Sequence, residues 1–343
     1  TQRDFPIDLK NIRVRSSRFP HAPVFATVAR ARINLSLPDL LHGRYVVESG
    51  TVEDVNVHYF VDEQGRDNLP RPLTNPNKPT EPHDYLISAL TVSNARVRYE
   101  NRVQQIDAEL PLSSVDVTGN RLTDRHHAAL AAADGRVRVK DRATPIDRPA
   151  GEVEWDDKEV QVVKLDVESE GSHAGLADVL YDQVQRRADV SSMTLRGDWG
   201  EITGRGIIAL DATNRSQIRA EIRSVDGEWV MRTLGLPYTV ASRVTGTVRA
   251  QMPGLEYQQA MGEADATLTP TATPVARSTM PVGGRVTARG ANGRIDAQLV
   301  RVSAAGAEAS GRVAVSDDRQ LNGQITARAS DLNQLTSSLE VFL

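Results

Sequence analysis

The sequence predicts a mainly β protein. The expected form is a long antiparallel sheet of repeated hairpins, curled into a half-open apolar groove, with a few short helices. Three observations carry this. First, a short phrase recurs: a glycine, a polar residue, then an apolar one. It stands at Gly135-Arg136-Val137, Gly246-Thr247-Val248, Gly284-Arg285-Val286, Gly293-Arg294-Ile295, Gly311-Arg312-Val313 and Gly323-Gln324-Ile325. Second, the runs it opens alternate with period two. From Asn322 to Ser330 the even positions are Asn, Gln, Thr, Arg and Ser, and the odd ones Gly, Ile, Ala and Ala. Period two sends successive side chains to opposite faces of a strand, so one face is wet and the other greasy. Third, aromatic residues make up only 4% of the 343 residues. Large rings supply much of the burial in a compact sandwich core. Here Val, Ala, Leu and Ile carry the apolar positions, which suits a thin sheet or an open groove.

The first elements follow from the same alternation. Residues 7–15 and 25–37 read as strands, the second with Ala29, Ala31, Ile33, Leu35 and Leu37 in phase. Pro38-Asp39-Leu40-Leu41-His42-Gly43 interrupts as one helical turn closed by glycine. Strands resume at Arg44–Ser49 and Thr51–Val61, where Val55, Val57, Tyr59 and Val61 share a face. Asp62 to Arg66 is a turn. Pro70, Pro72, Pro76, Pro79 and Pro82 then exclude a central strand, because proline lacks the ladder donor. Residues 70–84 therefore read as a long surface loop. Segments 1–84, 85–225 and 226–343 form the expected organisation.

From 85 to 225 short strands are expected at Leu86–Val92, Arg96–Glu100, Gln105–Leu110, Gly135–Lys140, Glu152–Trp155, Val160–Val167, Ser192–Arg196, Gly206–Asp211 and Gln217–Arg223. A helix spans Asp226 to Leu234, with Asp226 as N-cap, Gly235 as stop and Pro237 beyond. Strands then run to about Ser330, and Asp331 is placed to cap another helix. A longer repeat overlies this. Val302-x3-Gly306 with Glu308 and Gly311-Arg312 leads to Asp331. Met193-x3-Gly197 with Glu201 and Gly204-Arg205 leads to Asp226. Val167-x3-Gly171 with Gly175 is a weaker third copy. Each reads as a tight hairpin, and the pattern suggests an extendable array.

Charge and composition exclude several functions. The net charge is −4 and the pI about 6.0, so there is no global pull toward nucleic acid. Of 41 basic residues, 36 are arginine. Many fall on polar strand faces, as in Arg96-Val97-Arg98-Tyr99, where they solvate the surface and discourage edge pairing. The absence of cysteine removes disulfides and thiolate metal sites. No apolar run approaches about 18 residues, so no transmembrane helix is expected within this sequence. The chain starts Thr-Gln-Arg and stops at Val341-Phe342-Leu343, which reads as a piece of something longer.

No catalytic site is expected. Of seven histidines only His126 and His127 are adjacent, and neighbouring strand residues diverge rather than converge on a metal. Asp156-Asp157 and Asp317-Asp318 fit turns, where Asp is favoured for backbone reasons. Gly197 to Gly206 is glycine-rich but matches neither a P-loop nor a dinucleotide fingerprint, and reads as a hairpin. The chain is expected to be no enzyme and to need no cofactor.

Several phrases resemble the AsmA-like and TamB-like family of bacterial envelope proteins. Ala31 to Tyr45, Val46 to Tyr59 and then Gly65-Arg66-Asp67-Asn68-Leu69-Pro70 resemble the family's N-terminal strand, short helix, paired strands and G-x-x-N-L turn. Leu90 to Glu100, followed by Ile106 to Leu112, resembles its next hairpin. Ser224 to Gly235, followed by Val244 to Val248, resembles its helix between repeats. The proline-rich stretch at 70–84 departs from the family, as does the lack of an N-terminal anchor and of the family's C-terminal domain.

The resemblance implies a periplasmic segment of an inner-membrane-anchored protein. It would form a conduit for phospholipid acyl chains between inner and outer membranes and support outer-membrane biogenesis. An outer-membrane β-barrel protein is a further expected partner, and nucleic acid is not. The candidate groove-lining residues are Ile33, Leu35, Val55, Val57, Tyr59, Val97, Tyr99, Val137, Val139, Val244, Val248, Ile295, Leu299, Val313, Val315 and Ile325. Two other readings use the same sheet. One is a module assisting insertion or secretion of β-barrel proteins by strand addition. The other is a β-solenoid adhesin with a closed, side-chain-filled interior.

Overall fold

The computed structural model describes residues 4–329 apart from 71–84, 141, 157, 183–184, 210–212, 234–238, 255, 257–258, 272–278, 292–293, 305 and 317–319. Expectations for the proline-rich loop, for Gly235, Pro237 and Gly293, for Asp157 and Asp317-Asp318, and for the Asp331 cap fall outside those residues. The chain is mainly β, with mostly antiparallel pairing and two short helices. It divides into two compact units, Thr1–Gly171 and Ser172–Leu343.

The first unit holds ten strands: β1 (Asp4–Val14), β2 (Ala26–Ser36), β3 (Tyr45–Val61), β4 (Tyr85–Ile87), β5 (Ala89–Asn101), β6 (Ile106–Asn120), β7 (Arg125–Ala132), β8 (Gly135–Val139), β9 (Arg142–Trp155) and β10 (Glu159–Ser169). β1, β2 and β3 pair antiparallel in sequence order. β3 pairs with β4 and β5 in parallel, the one departure from the antiparallel expectation in this unit. β7 and β8 lie end to end between β6 and β9, and β10 follows β9. Parallel neighbours need a crossover, so the chain after β3 returns to the other end of the sheet before β5. Helix α1 (Leu37–Leu41) joins β2 to β3. Its cap is Ser36, whose hydroxyl accepts the Asp39 amide at 3.4 Å, and Gly43 follows at a φ of 81°.

The second unit holds β11 (Ser172–Asp182), β12 (Arg187–Gly197), β13 (Gly200–Ala209), β14 (Arg215–Asp226), helix α2 (Gly227–Thr233), β15 (Thr239–Val240), β16 (Ser242–Pro253), β17 (Met261–Pro270), β18 (Thr279–Met280), β19 (Val282–Ala291), β20 (Arg294–Ala304), β21 (Ala307–Val315) and β22 (Leu321–Ala329). Its long strands form an antiparallel run in chain order from β11 to β22. β15 and β18 make a separate short parallel pair. The hairpins expected at Gly197–Gly200 and at Ala304–Ala307 are present.

Several strands are longer than the alternation predicts, and one backbone device explains it. Asn11, Asp54 and Asn94 sit inside β1, β3 and β5 with φ of 55°, 53° and 55°. They lie nearly in line across the sheet: Lys10 and Ile12 pair with Arg30 and Val28, which pair with Glu53 and Val55. Glu53 and Val55 in turn pair with Ser93 and Ala95. A left-handed residue rotates the strand by one extra position. The apolar phase therefore slips from odd to even along β5, from Ala95 and Val97 to Leu90 and Val92. Because the neighbours slip at the same line, the apolar side chains stay on one face. The sequence pattern breaks at Asn94, so one strand reads as two. Asn and Asp tolerate this region better than other side chains. The break expected at Gly50 is absent: β3 runs through it, and a Cβ there would lie 2.8 Å from Leu90 Cδ1.

The second unit repeats a related device. Register slips by one residue between Val190 and Met193, between Ile222 and Val225, and between Leu299 and Val302. Ser224 and Arg301 in two of these bulges have φ of 50°. Their amides are caught by hydroxyls on the next strand, Thr245 Oγ1 at 3.2 Å and Ser310 Oγ at 3.3 Å. The residue before each slip faces a glycine: Gly206, Gly246 or Gly311. A Cβ on these would lie 2.1–2.2 Å from a carbonyl oxygen of the following strand. The recurrent glycine phrase thus marks close strand approach. It opens a strand at Gly135, the first residue of β8, but Gly246 and Gly311 are interior to β16 and β21.

Two outcomes are expected in chemical denaturation. Asn94→Ile should cost about 1–3 kcal/mol, because a β-branched residue is strained at positive φ, while Asn94→Gly should stay within about 1 kcal/mol. Gly246→Ala should cost about 2 kcal/mol or more, because the two backbones must part to admit the methyl.

Candidate functional site: a half-open aliphatic face

The sheet register decides which side chains share a face. In the first unit Ala26 pairs with Val57, Val57 with Val97, and Val97 with Leu110. One step along, Tyr59 pairs with Tyr99, Tyr99 with Ala108, and Ala108 with Val137. The Tyr59 and Tyr99 rings stack at 5.7 Å. Val139 opposes Ile106, and Val55 opposes Val28. Ile33 and Leu35 lie beyond the phase slip, on the same face. All nine candidates of this unit therefore share one face.

In the second unit Val248, Ala264, Ala288, Ala297, Val313 and Gly323 form one row across six strands. Val286, Leu299, Gly311 and Ile325 form the next, and Gly290, Ile295 and Val315 another. Val244 opposes Leu268. The seven candidates here also share one face. Sequence reasoning missed their partners Val28, Leu90, Leu110, Leu268 and Val286. For Val28 and Leu90, beside the line through Asn11, Asp54 and Asn94, those Asn and Asp residues were the signal; Leu110, Leu268 and Val286 follow only from strand register.

This face is aliphatic and incompletely covered. Val139, Ile295 and Ile325 are 47%, 49% and 51% exposed, and most other members are half-buried. Among the described residues, the strand–strand contacts are those of sheet neighbours. Burial is complete only locally. Where α1 connects β2 to β3, Val46 and Leu86 pair in register and are both buried. Next to α2, the paired Val225 and Val244 are buried. Trp229 of α2 stacks on Trp199 of the β12–β13 turn at 4.2 Å, and Trp199 Nε1 donates to Ser172 Oγ at 3.0 Å. Asp226 Oδ1 accepts the Glu228 amide at 2.8 Å at the start of α2.

The other face is ionic. Asp107 accepts from Arg98 Nε at 3.2 Å and from Arg138 at 3.1 Å, linking three strands. Arg136 donates to Glu109 at 2.8 Å, Arg30 to Asp8 at 2.8 Å and Arg285 Nε to Asp265 at 2.8 Å. Such exposed pairs contribute little each. Their effect is to keep the polar face in water.

Among the polar side chains the first unit buries are Asn68 and His126. Asn68 is fully buried. Its Oδ1 accepts the Phe60 amide at 2.8 Å, and its Nδ2 donates to the carbonyls of His58 at 2.7 Å and Pro23 at 3.1 Å. This is the asparagine of the Gly65-x-x-Asn68-Leu69 phrase. His126 lies between Tyr85 at 5.4 Å and Trp155 at 5.2 Å, and its Nε2 accepts the Ile87 amide at 3.1 Å. Burial holds its imidazole below the ordinary 6.5. His127 turns instead toward Glu152 at 3.7 Å. No group of three metal-ligating side chains occurs among the described residues. No helix of the described residues is long and apolar enough to cross a membrane. Comparisons with protein families, with curated proteins and with solved structures find no match to this chain.

A neutral folded His126 has a definite pH consequence. The unfolded chain binds its proton near 6.5, and the folded chain only at lower pH. Stability is therefore full above pH 6.5 and falls as pH drops toward the depressed folded value. His126→Gln keeps an acceptor for Ile87 and loses two ring contacts. Its melting temperature at pH 7.5 should drop by an amount equivalent to about 1–2 kcal/mol. Between pH 6.5 and 5 its curve should be flatter than wild type, and parallel curves would refute the assignment.

Proposed function

We propose that this chain is a segment of an envelope lipid conduit of the AsmA-like and TamB-like kind, in which acyl chains of phospholipid lie on the aliphatic rows. The observation that carries this reading is that the candidate aliphatic side chains of each unit share one face, across the slip at Asn11, Asp54 and Asn94 in the first, and are mostly half-buried. An acyl chain crossing water needs a continuous apolar path, since each exposed methylene costs about 0.8 kcal/mol. Rows running across strands supply one with a strand-to-strand step of about 4.8 Å. Apart from the Tyr59 and Tyr99 hydroxyls the candidate rows are apolar, so in this reading the cargo is selected by its apolar part. The periplasm of a double-membraned bacterium, with an inner-membrane anchor and a possible β-barrel partner elsewhere in the assembly, is the setting this reading implies. The half-exposed rows favour it over an adhesin with a filled interior.

The test is native mass spectrometry, with organic extraction, of the chain purified from a bacterial periplasm without detergent. Phospholipid should co-purify with wild type. Val57→Glu and Val139→Glu place a carboxylate on the face, and in still-folded protein they should lose the lipid and fail to support outer-membrane integrity. Folded wild type that carries no lipid, or variants that retain both lipid and function, would overturn the reading. Capture of a barrel strand in place of lipid would point to protein assembly.

A further inference from the structure

The polar face of the second unit holds an arginine row that its own carboxylates do not neutralise. Arg205 of β13 is directly opposite Arg219 of β14, and Arg219 is directly opposite Arg249 of β16. The row continues through Glu263 and Arg289 to Asp296. Like charges directly opposite each other on neighbouring strands are destabilising. Within the row only Arg249 has an ion-pair partner, Glu263 at 3.3 Å; beside it on this face Arg285 pairs with Asp265 and Arg294 with Asp296 at 2.8 Å, while Arg312 stands opposite two glutamines, Gln298 and Gln324. Arg205, Arg219 and Arg289 make no ion pair with any described residue. A hollow of about 930 Å³ lies over them. Its polar lining includes Arg205, Arg219, Arg249 and Arg289, against Asp189 and Glu263, with Gln217 and Gln251 as neutral donors.

We propose that this hollow is a binding site for a phosphate group, held by the forks of Arg205 and Arg219. A guanidinium offers parallel N–H donors that match two phosphate oxygens, and neighbouring strands bring two such forks within one ligand's reach. An oxyanion there removes the cross-strand repulsion that the protein leaves in place. The site is on the face opposite the aliphatic rows, so it stands or falls independently of the conduit reading.

Calorimetric titration with inorganic pyrophosphate tests it, alongside flotation with vesicles of phosphatidylglycerol in phosphatidylcholine. Wild type should bind pyrophosphate saturably. The double variant Arg205→Gln/Arg219→Gln alters exposed side chains and should fold, and its affinity should fall by roughly tenfold or more, the equivalent of one charge-assisted contact. Arg285→Gln/Arg294→Gln removes the same charge at paired positions and should change affinity by less than about threefold. Vesicle binding lost in the first variant alone identifies the phosphate as a lipid headgroup, and pyrophosphate binding without vesicle binding identifies a soluble one. No binding in either assay, or equal weakening by both double variants, would overturn the site and leave an ordinary solvated face.

Discussion

Strand register is the constraint on which the rest of this protein depends. In a layered protein a misplaced side chain can be tolerated or corrected by packing from the opposing layer. Here each unit buries its aliphatic side chains mainly against their neighbours on the same face. Lateral contact between Val57 and Val97, or between Leu299 and its neighbours, replaces contact with a second layer. A slip of one residue on one strand would turn every side chain beyond it to the wrong face. The structure meets this by slipping in concert. Asn11, Asp54 and Asn94 place their extra rotation on one line across three strands, and the aliphatic face continues through it.

The glycines follow from the same constraint. Gly206, Gly246 and Gly311 each face the last residue before a slip, and on their other side they let the following strand approach, where a Cβ would meet the carbonyls of Gln217, Asp265 and Gln324. Their spacing reflects the repetition of hairpins with bulges, so the repeat visible in the chain is a repeat of backbone geometry. Bulges increase strand twist and bend the bulged strand.

This explains what the sequence discloses and what it hides. Alternation revealed the fold class and the shared face of Val55, Val57 and Tyr59, because those runs lie between slips, and capping signals revealed the helix after Asp226. It divided β5 into two strands, because Asn94 inverts the phase without ending the ladder. It likewise gave β6 as a short strand, where register shifts between Leu112 and Ser114. The parallel pairing of β3 with β5 left no local signature, since both strands alternate as antiparallel strands do. His126 and Asn68 were visible as residues but not as sites: their burial depends on Tyr85, Trp155 and Pro23, which are distant in sequence. The arginine row was hidden for the same reason. Arg205, Arg219 and Arg249 become neighbours only through the register of three strands.

Separation of chemistry between faces is the last consequence. A half-open aliphatic surface in water invites association, so its polar reverse must keep the chain hydrated. Paired Arg and Asp or Glu achieve this at low net charge. Where the pairing fails, in the row through Arg205 and Arg219, hydration alone needs no such alignment of like charges. Lysines scattered at staggered positions would solvate the surface without mutual repulsion. The protein instead aligns guanidinium groups, each limited to donating hydrogen bonds, and Arg205 and Arg219 have no ion-pair partner among the described residues. The physical completion of that arrangement is an acceptor brought by another molecule, and an oxyanion supplies both the charge and the lone pairs that the sheet itself lacks.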